Sequence, residues 1–122
     1  MTYKILNKTK GVVIVEKAGV AKTFFQRAAG LMFRENMDTN EAMIFYKAPS
    51  IHMFFMFFPI DVVFLDKNMR VMKICAALRP WQMASCFKSA VTIELPVHTA
   101  NNTGLTVGDV LEFIPTRFPI SL

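Results

Sequence analysis

The chain has only two cysteines, one tryptophan, five glycines and six prolines in 122 residues. Ten residues separate Cys75 from Cys86, with no CxxC and no second Cys/His pair. That excludes a disulfide framework, a redox motif and a zinc site; both thiols read as inert, at least partly buried side chains. No linker, repeat or low-complexity tract is present. The N-terminus, Met-Thr-Tyr-Lys-Ile-Leu-Asn-Lys, has no apolar h-region and no small-residue cleavage site, so no signal peptide is expected. No uncharged apolar stretch reaches the roughly 18 residues that span a bilayer. Cytoplasmic location with reduced thiols is the expectation. Acidic residues are also scarce, nine against fourteen basic ones, for a formal net charge of +5. Seven of the basic residues fall in the first 34 positions, spaced singly rather than in a patch. A nucleic-acid reader would more often show a dense cluster or a known motif, so no nucleic-acid partner is expected.

Apolar residues make up 53% of the chain and charged ones 19%, below the usual figure of about 25%. One globular domain over residues 1–122 follows, large enough to bury roughly two thirds of its unfolded surface. Little polar surface is left over, so some apolar surface stays available for a partner.

Short clusters of β-branched and aromatic residues dominate. Tyr3–Leu6 and Val12–Val15 read as strands joined by the polar turn Asn7–Gly11. Ala21–Ala29 carries apolar residues at helical spacing and stops at Gly30. Ala42–Tyr46 is a strand, broken by Ala48-Pro49-Ser50. Ile51–Phe58 and Ile60–Leu65 follow, with Pro59 marking a bend because proline cannot donate to a ladder. Asp66–Met69 is a turn in which Asn68 tolerates the left-handed conformation. Arg70–Ala77 returns as a strand covered on both faces. In Val91–Leu95, Val91, Ile93 and Leu95 face in, with Thr92 and Glu94 facing out. Val97–Thr103 is a short helix stopped by Gly104, and Val110–Ile114 is the last strand. The fold class is α+β, mainly antiparallel β, a barrel-like sheet with two short helices.

The order Gly30-Leu31-Met32-Phe33-Arg34, Met43-Ile44-Phe45, the run Phe54–Asp66, Leu78-Arg79-Pro80-Trp81, Glu94-Leu95-Pro96 and Gly108-Asp109 resembles the domain of unknown function 192 family. The resemblance runs from about Thr23 to Phe113. It implies a compact, mainly β domain with no established biochemical activity, here of the short cytoplasmic type. Three positions depart from the family's pattern. Met69 stands where glycine is common, Phe57 where a polar or basic residue is frequent, and His98 where a small residue follows Glu-Leu-Pro.

Asp61 sits inside the apolar run Ile51–Asp66. A buried carboxylate must find donors or take up a proton. Backbone N–H groups at the Pro59 bend or an arginine, Arg34 or Arg79, could supply them. Alternatively, Asp61 and those arginines line a pocket mouth that binds a polar or anionic ligand bidentately. Trp81 is a rigid lid over the core or a flat platform for a ligand. His52, Met53 and Met56 have soft-metal ligand types, but strand residues three apart point to opposite faces, so no metal is expected. No nucleophile elbow, P-loop, His-Glu-x-x-His or dinucleotide fingerprint is present, and no cofactor is implied. Gly108-Asp109 reads as a turn in which Asp109 bonds its own backbone.

The residues point first to a non-catalytic binding module for a small polar ligand or peptide, using Asp61, Arg79, Trp81 and Arg34. An interaction protein docking on a larger assembly, of secretion or pilus type, is the second reading. An enzyme of unknown class is the third.

Overall fold

The structure is a computed structural model that describes residues 2–21, 36–53 and 57–116; of His52 only the backbone is described. The first hairpin joins β1 (Thr2–Asn7) to β2 (Val12–Val20). Its turn closes where the Gly11 N–H donates to the Asn7 carbonyl at 2.8 Å, with Gly11 at φ 69°. Then come β3 (Glu41–Tyr46), β4 (Ser50–His52), β5 (Ile60–Leu65) and β6 (Val71–Leu78). β7 (Met83–Ser85), β8 (Val91–Pro96), the single-turn helix α1 (Thr99–Asn102) and β9 (Leu111–Thr116) complete the order.

A seven-stranded sheet runs β6-β5-β8-β3-β2-β1-β9, and β4 pairs with β7 in a separate ribbon. Every ladder is antiparallel except β2 with β3, which run parallel from Lys17–Glu41 to Val20–Ile44. The sheet curls until its edge strands approach at one end, through the Arg70–Val110 bridge and the bonds Val71 N–H to Asp109 O and Leu111 N–H to Met69 O. The ladder does not close into a barrel; the structure shows an open, curled and mostly antiparallel sheet. Among the described residues α1 is the only helix, and the Ala21–Ala29 helix falls largely outside them.

Period-2 alternation explains where the core sits. Val63, Leu65, Ile93 and Leu95 join Ile5, Val15 and Ile44 in one apolar layer beneath α1. The other parity, Ile60, Val62, Phe64 and Phe45, packs against Ile51, Met53 and Ala84 of the ribbon. β5 and β8 are therefore buried at every position. This overturns the expectation that Thr92 and Glu94 face solvent: the ribbon's layer covers the face that one-sided alternation would leave wet. Of the expected strand Ile51–Phe58, Ile51 and His52 fall in β4 and Phe57–Pro59 are irregular, while residues 54–56 lie outside the described residues.

Asp109 locks the closing end. Its buried carboxylate accepts from Asn7 Nδ2 at 2.8 Å and the Thr106 N–H at 2.9 Å, and pairs with Lys10 Nζ at 3.0 Å. Burial alone would raise this carboxyl, but the Thr106, Asn7 and Lys10 donors outweigh it and hold it low. The stabilisation is present above the unfolded aspartate range and is lost as pH falls. The role is structural, as the sequence suggested, but these partners come from residues 7, 10 and 106 rather than from a bond two residues on.

In the β5–β6 turn, Asp66 Oδ1 accepts from the Asn68 and Arg70 N–H groups at 2.8 and 3.0 Å. The left-handed residue there is Met69, at φ 65°, and not Asn68. The side chain of Met69 also packs on the core layer beneath α1. Substitution separates these effects. Met69→Ala loses packing and keeps the strain, whereas Met69→Gly loses packing and removes it. The glycine variant should be the more stable of the pair by about 1 kcal/mol in urea unfolding. The reverse order, usual for a strand, would contradict the left-handed backbone.

Candidate functional site

Asp61 lies on β5 opposite Leu95, on the face beneath α1, and is fully buried. Oδ1 accepts the Ala77 N–H and Oδ2 the Ala100 N–H, both at 2.9 Å. Ala77 belongs to the irregular stretch of β6 where the register with β5 shifts, and its φ is 52°. Ala100 lies in the first turn of α1, whose N-terminal flank His98 is left-handed and makes no side-chain cap. A helix start leaves orphan N–H donors, and Asp61 satisfies one of them from a neighbouring strand. The carboxylate thus ties an edge-strand distortion and a helix start to the centre of the sheet. Among the described residues it forms no ion pair with an arginine; Arg34 lies outside them. Asp61→Asn replaces one acceptor with a donor that faces an N–H, and should cost about 1–3 kcal/mol. A thermal melt that does not move would contradict the two-amide arrangement.

The loop after β6 holds Arg79 and Trp81. The Arg79 N–H donates to Gln82 Oε1 at 2.8 Å, and the Gln82 N–H returns to the Arg79 carbonyl at 3.1 Å. The loop is also fastened to the residue after β4. Trp81 N–H donates to Met53 O, and Met53 N–H to Gln82 O, each at 2.8 Å. Met53 is itself fully buried in the layer between sheet and ribbon. On this fixed frame Trp81 is 60% exposed and sits at φ 68°. A bulky residue in that region costs about 1–2 kcal/mol, which the surrounding bonds must hold in place. Arg79 and Gln82 are exposed beside it, and Met83, next in the chain, is also exposed. The sequence thus placed Arg79 and Trp81 on one short loop, while Asp61 lies beneath the sheet's opposite face and reaches this loop only through Ala77.

Glu94 was missed. It lies at the centre of β8, opposite Met43 of β3 and Val62 of β5. It is 7% exposed, and no hydrogen bond or ion pair reaches its carboxylate among the described residues. With no donor to hold the anion, burial pushes this carboxyl up to about 7. Its presence in the Glu94-Leu95-Pro96 motif was the available signal. Assigning it to a wet face hid it. Thr92, two residues earlier, is satisfied: its hydroxyl donates to the Ala48 carbonyl.

Cys75 and Cys86 are half-buried free thiols, and His98 is exposed. No group of three or more His, Cys, Asp or Glu that could hold a metal occurs among the described residues. No helix among them is long and apolar enough to cross a membrane.

The pH dependence of folding follows from Glu94. An unfolded glutamate loses its proton near 4.5, the folded one near 7. Between those values the native state binds more protons, so the stability that Glu94 contributes is complete at the acid end and declines as pH rises through 7. Glu94→Gln removes this slope, and should be the more stable protein at pH 8 by up to about 3 kcal/mol. Urea unfolding at pH 5 and pH 8 checks it; a difference that does not change with pH would contradict the buried, donorless carboxylate.

Comparison with known proteins places these features in a wider group. The family model DUF192, described as Uncharacterized ACR, matches residues 5–113. A UPF0127 protein of Thermococcus sibiricus is 37% identical, the match covering 89% of this chain and 73% of that one. One from Pyrococcus abyssi is 36% identical over 90% of this chain and 97% of its own length. Among solved structures, a protein of unknown function from Novosphingobium aromaticivorans has a TM-score of 0.75 at 26% identity, covering 92% of this chain and 84% of that chain. A protein from Sinorhizobium meliloti, provisionally named a transcription regulator, has a TM-score of 0.78 at 22% identity, covering 91% of each chain, which speaks to fold alone.

Proposed function

We infer that this chain, which belongs to the DUF192 family, acts as a non-catalytic binding module that holds a small polar ligand or a peptide on the loop carrying Arg79 and Trp81. The observation that carries this reading is the conformation of Trp81. Its ring is presented to solvent on a left-handed backbone that a tight hydrogen-bonded loop holds in place. A flat aromatic face beside a guanidinium suits a planar or anionic group. Arg79 supplies the fork of donors and Trp81 the platform. Asp61 enters as a support, because it fixes Ala77, two residues before Arg79, from below. Arg34, a further contact in the sequence reading, lies outside the described residues. The reading takes residues 1–122 as one domain working in the cytoplasm.

Docking on a larger assembly is the alternative. It is favoured by Phe87, which is 98% exposed in the turn after β7, near the exposed Met83 in sequence. Such apolar exposure suits a protein partner.

Trp81→Gly removes both the ring and the backbone strain. It should still fold, while chain purified from its native cells loses the ligand that native mass spectrometry finds on the wild type. Arg79→Ala should lose the same mass. Retention of an unchanged bound mass by both variants would overturn the binding reading of this loop.

A further inference from the structure

Directly opposed residues in a sheet share a face, with Cβ atoms about 5 Å apart. Reading across the large sheet, Cys75 of β6, Val62 of β5, Glu94 of β8 and Met43 of β3 form one row. This row faces the layer beneath the ribbon. One register along lies Phe64–Thr92–Phe45, and on the other side Ile60 opposes Pro96. The ribbon contributes Ile51, Met53 and Ala84. Glu94 is thus set among hydrocarbon, on a strand buried at every position.

The charged and titratable groups on this face do not answer it. Lys73 of β6 gives its ammonium to the Ser85 carbonyl at 2.9 Å. Cys75 is two strands away, about 10 Å by strand spacing. Lys17 of β2 and Glu41 of β3 oppose each other at the start of the parallel ladder, and Glu41 Oε1 accepts the Asp38 N–H. The described ribbon side chains in this layer are apolar. A carboxylate that costs stability in this setting, and that no described residue repays, has empty acceptor positions for a group from outside the chain.

We propose that Glu94 is the polar anchor of a ligand site between the large sheet and the β4–β7 ribbon, and that its ligand is a small organic cation: a protonated amine on a compact apolar body. The amine supplies the N–H donors that the carboxylate lacks. The apolar body packs on Met43, the partly exposed neighbour of Glu94 in its row. A cation is preferred over a neutral donor because it compensates the buried negative charge as well as the hydrogen bond. The site stands apart from the Arg79–Trp81 loop, whose chemistry is opposite: a guanidinium there selects anions, a carboxylate here selects cations.

The test uses the full chain, with methylamine, cyclohexylamine and benzylamine as probes and benzyl alcohol as the neutral counterpart, at pH 8 and matched ionic strength. Benzylamine and cyclohexylamine should raise the melting temperature of the wild type more than methylamine or benzyl alcohol does, and should leave Glu94→Gln unmoved. In carbon-detected NMR of the wild type, the proton affinity of the Glu94 carboxyl should fall about tenfold or more when benzylamine is present. The NMR arm needs no variant, so it decides the matter even if Glu94→Gln folds poorly. If no amine of the series shifts the Glu94 titration, or if Glu94→Gln gains as much in melting temperature as the wild type, the proposal is overturned.

Discussion

A carboxylate on a strand covered on both faces is largely shut off from water, and the centre of this protein is arranged around that constraint. β5 and β8 have no wet side. Asp61 is tolerated there because two backbone amides from different parts of the chain converge on its two oxygens. One amide comes from β6 where its register slips, the other from the first turn of α1. The same bonds that make the charge affordable also fix where β6 ends and where α1 begins. The Arg79–Gln82 loop starts from that fixed point, so the exposed tryptophan inherits its position from a residue on the far face of the sheet.

Glu94 is the counterpart. It lies one strand away, on the opposite face, among side chains as apolar as those around Asp61, and no described group donates to it. One carboxylate is satisfied from within the fold; the other keeps its proton up to about 7. Structural ionisable groups usually acquire internal partners, because leaving them without is costly. The contrast separates a residue whose work is finished on folding from one whose acceptor positions stay open.

Much of this fold was legible in the chain. Clusters of Val, Ile and aromatic residues located β1, β3, β5, β6, β8 and β9 within a position or two and the first half of β2, and Gly104 marked the end of α1 at φ 71°. The Glu94-Leu95-Pro96 and Leu78–Trp81 motifs carried the family, and the family's glycine at position 69 anticipated the left-handed turn better than the propensity of Asn68 did. Tertiary contacts decided the rest. β7 is three residues long and contains no β-branched side chain, so nothing local announces it; it exists because it pairs with β4. Without that ribbon in view, alternation in β8 placed Glu94 and Thr92 in water. The parallel pairing of β2 and β3 depends on a crossover that no local pattern encodes. Of the candidate site, Arg79 and Trp81 share a loop, but the role of Asp61 turned on which amides reach it.

Amide hydrogen exchange at Ala77 and Ala100 tests the central interaction most directly. Ala77 is exposed on an edge strand, and Ala100 lies in the first turn of a single-turn helix, where an N–H has no intrahelical acceptor. With the Asp61 oxygens on both, they should exchange only through global unfolding, at the rate of the slowest core amides of β5 and β8. Exchange at the rate of exposed loop amides, with the rest of β5 still protected, would show that the carboxylate does not hold them and would contradict the account.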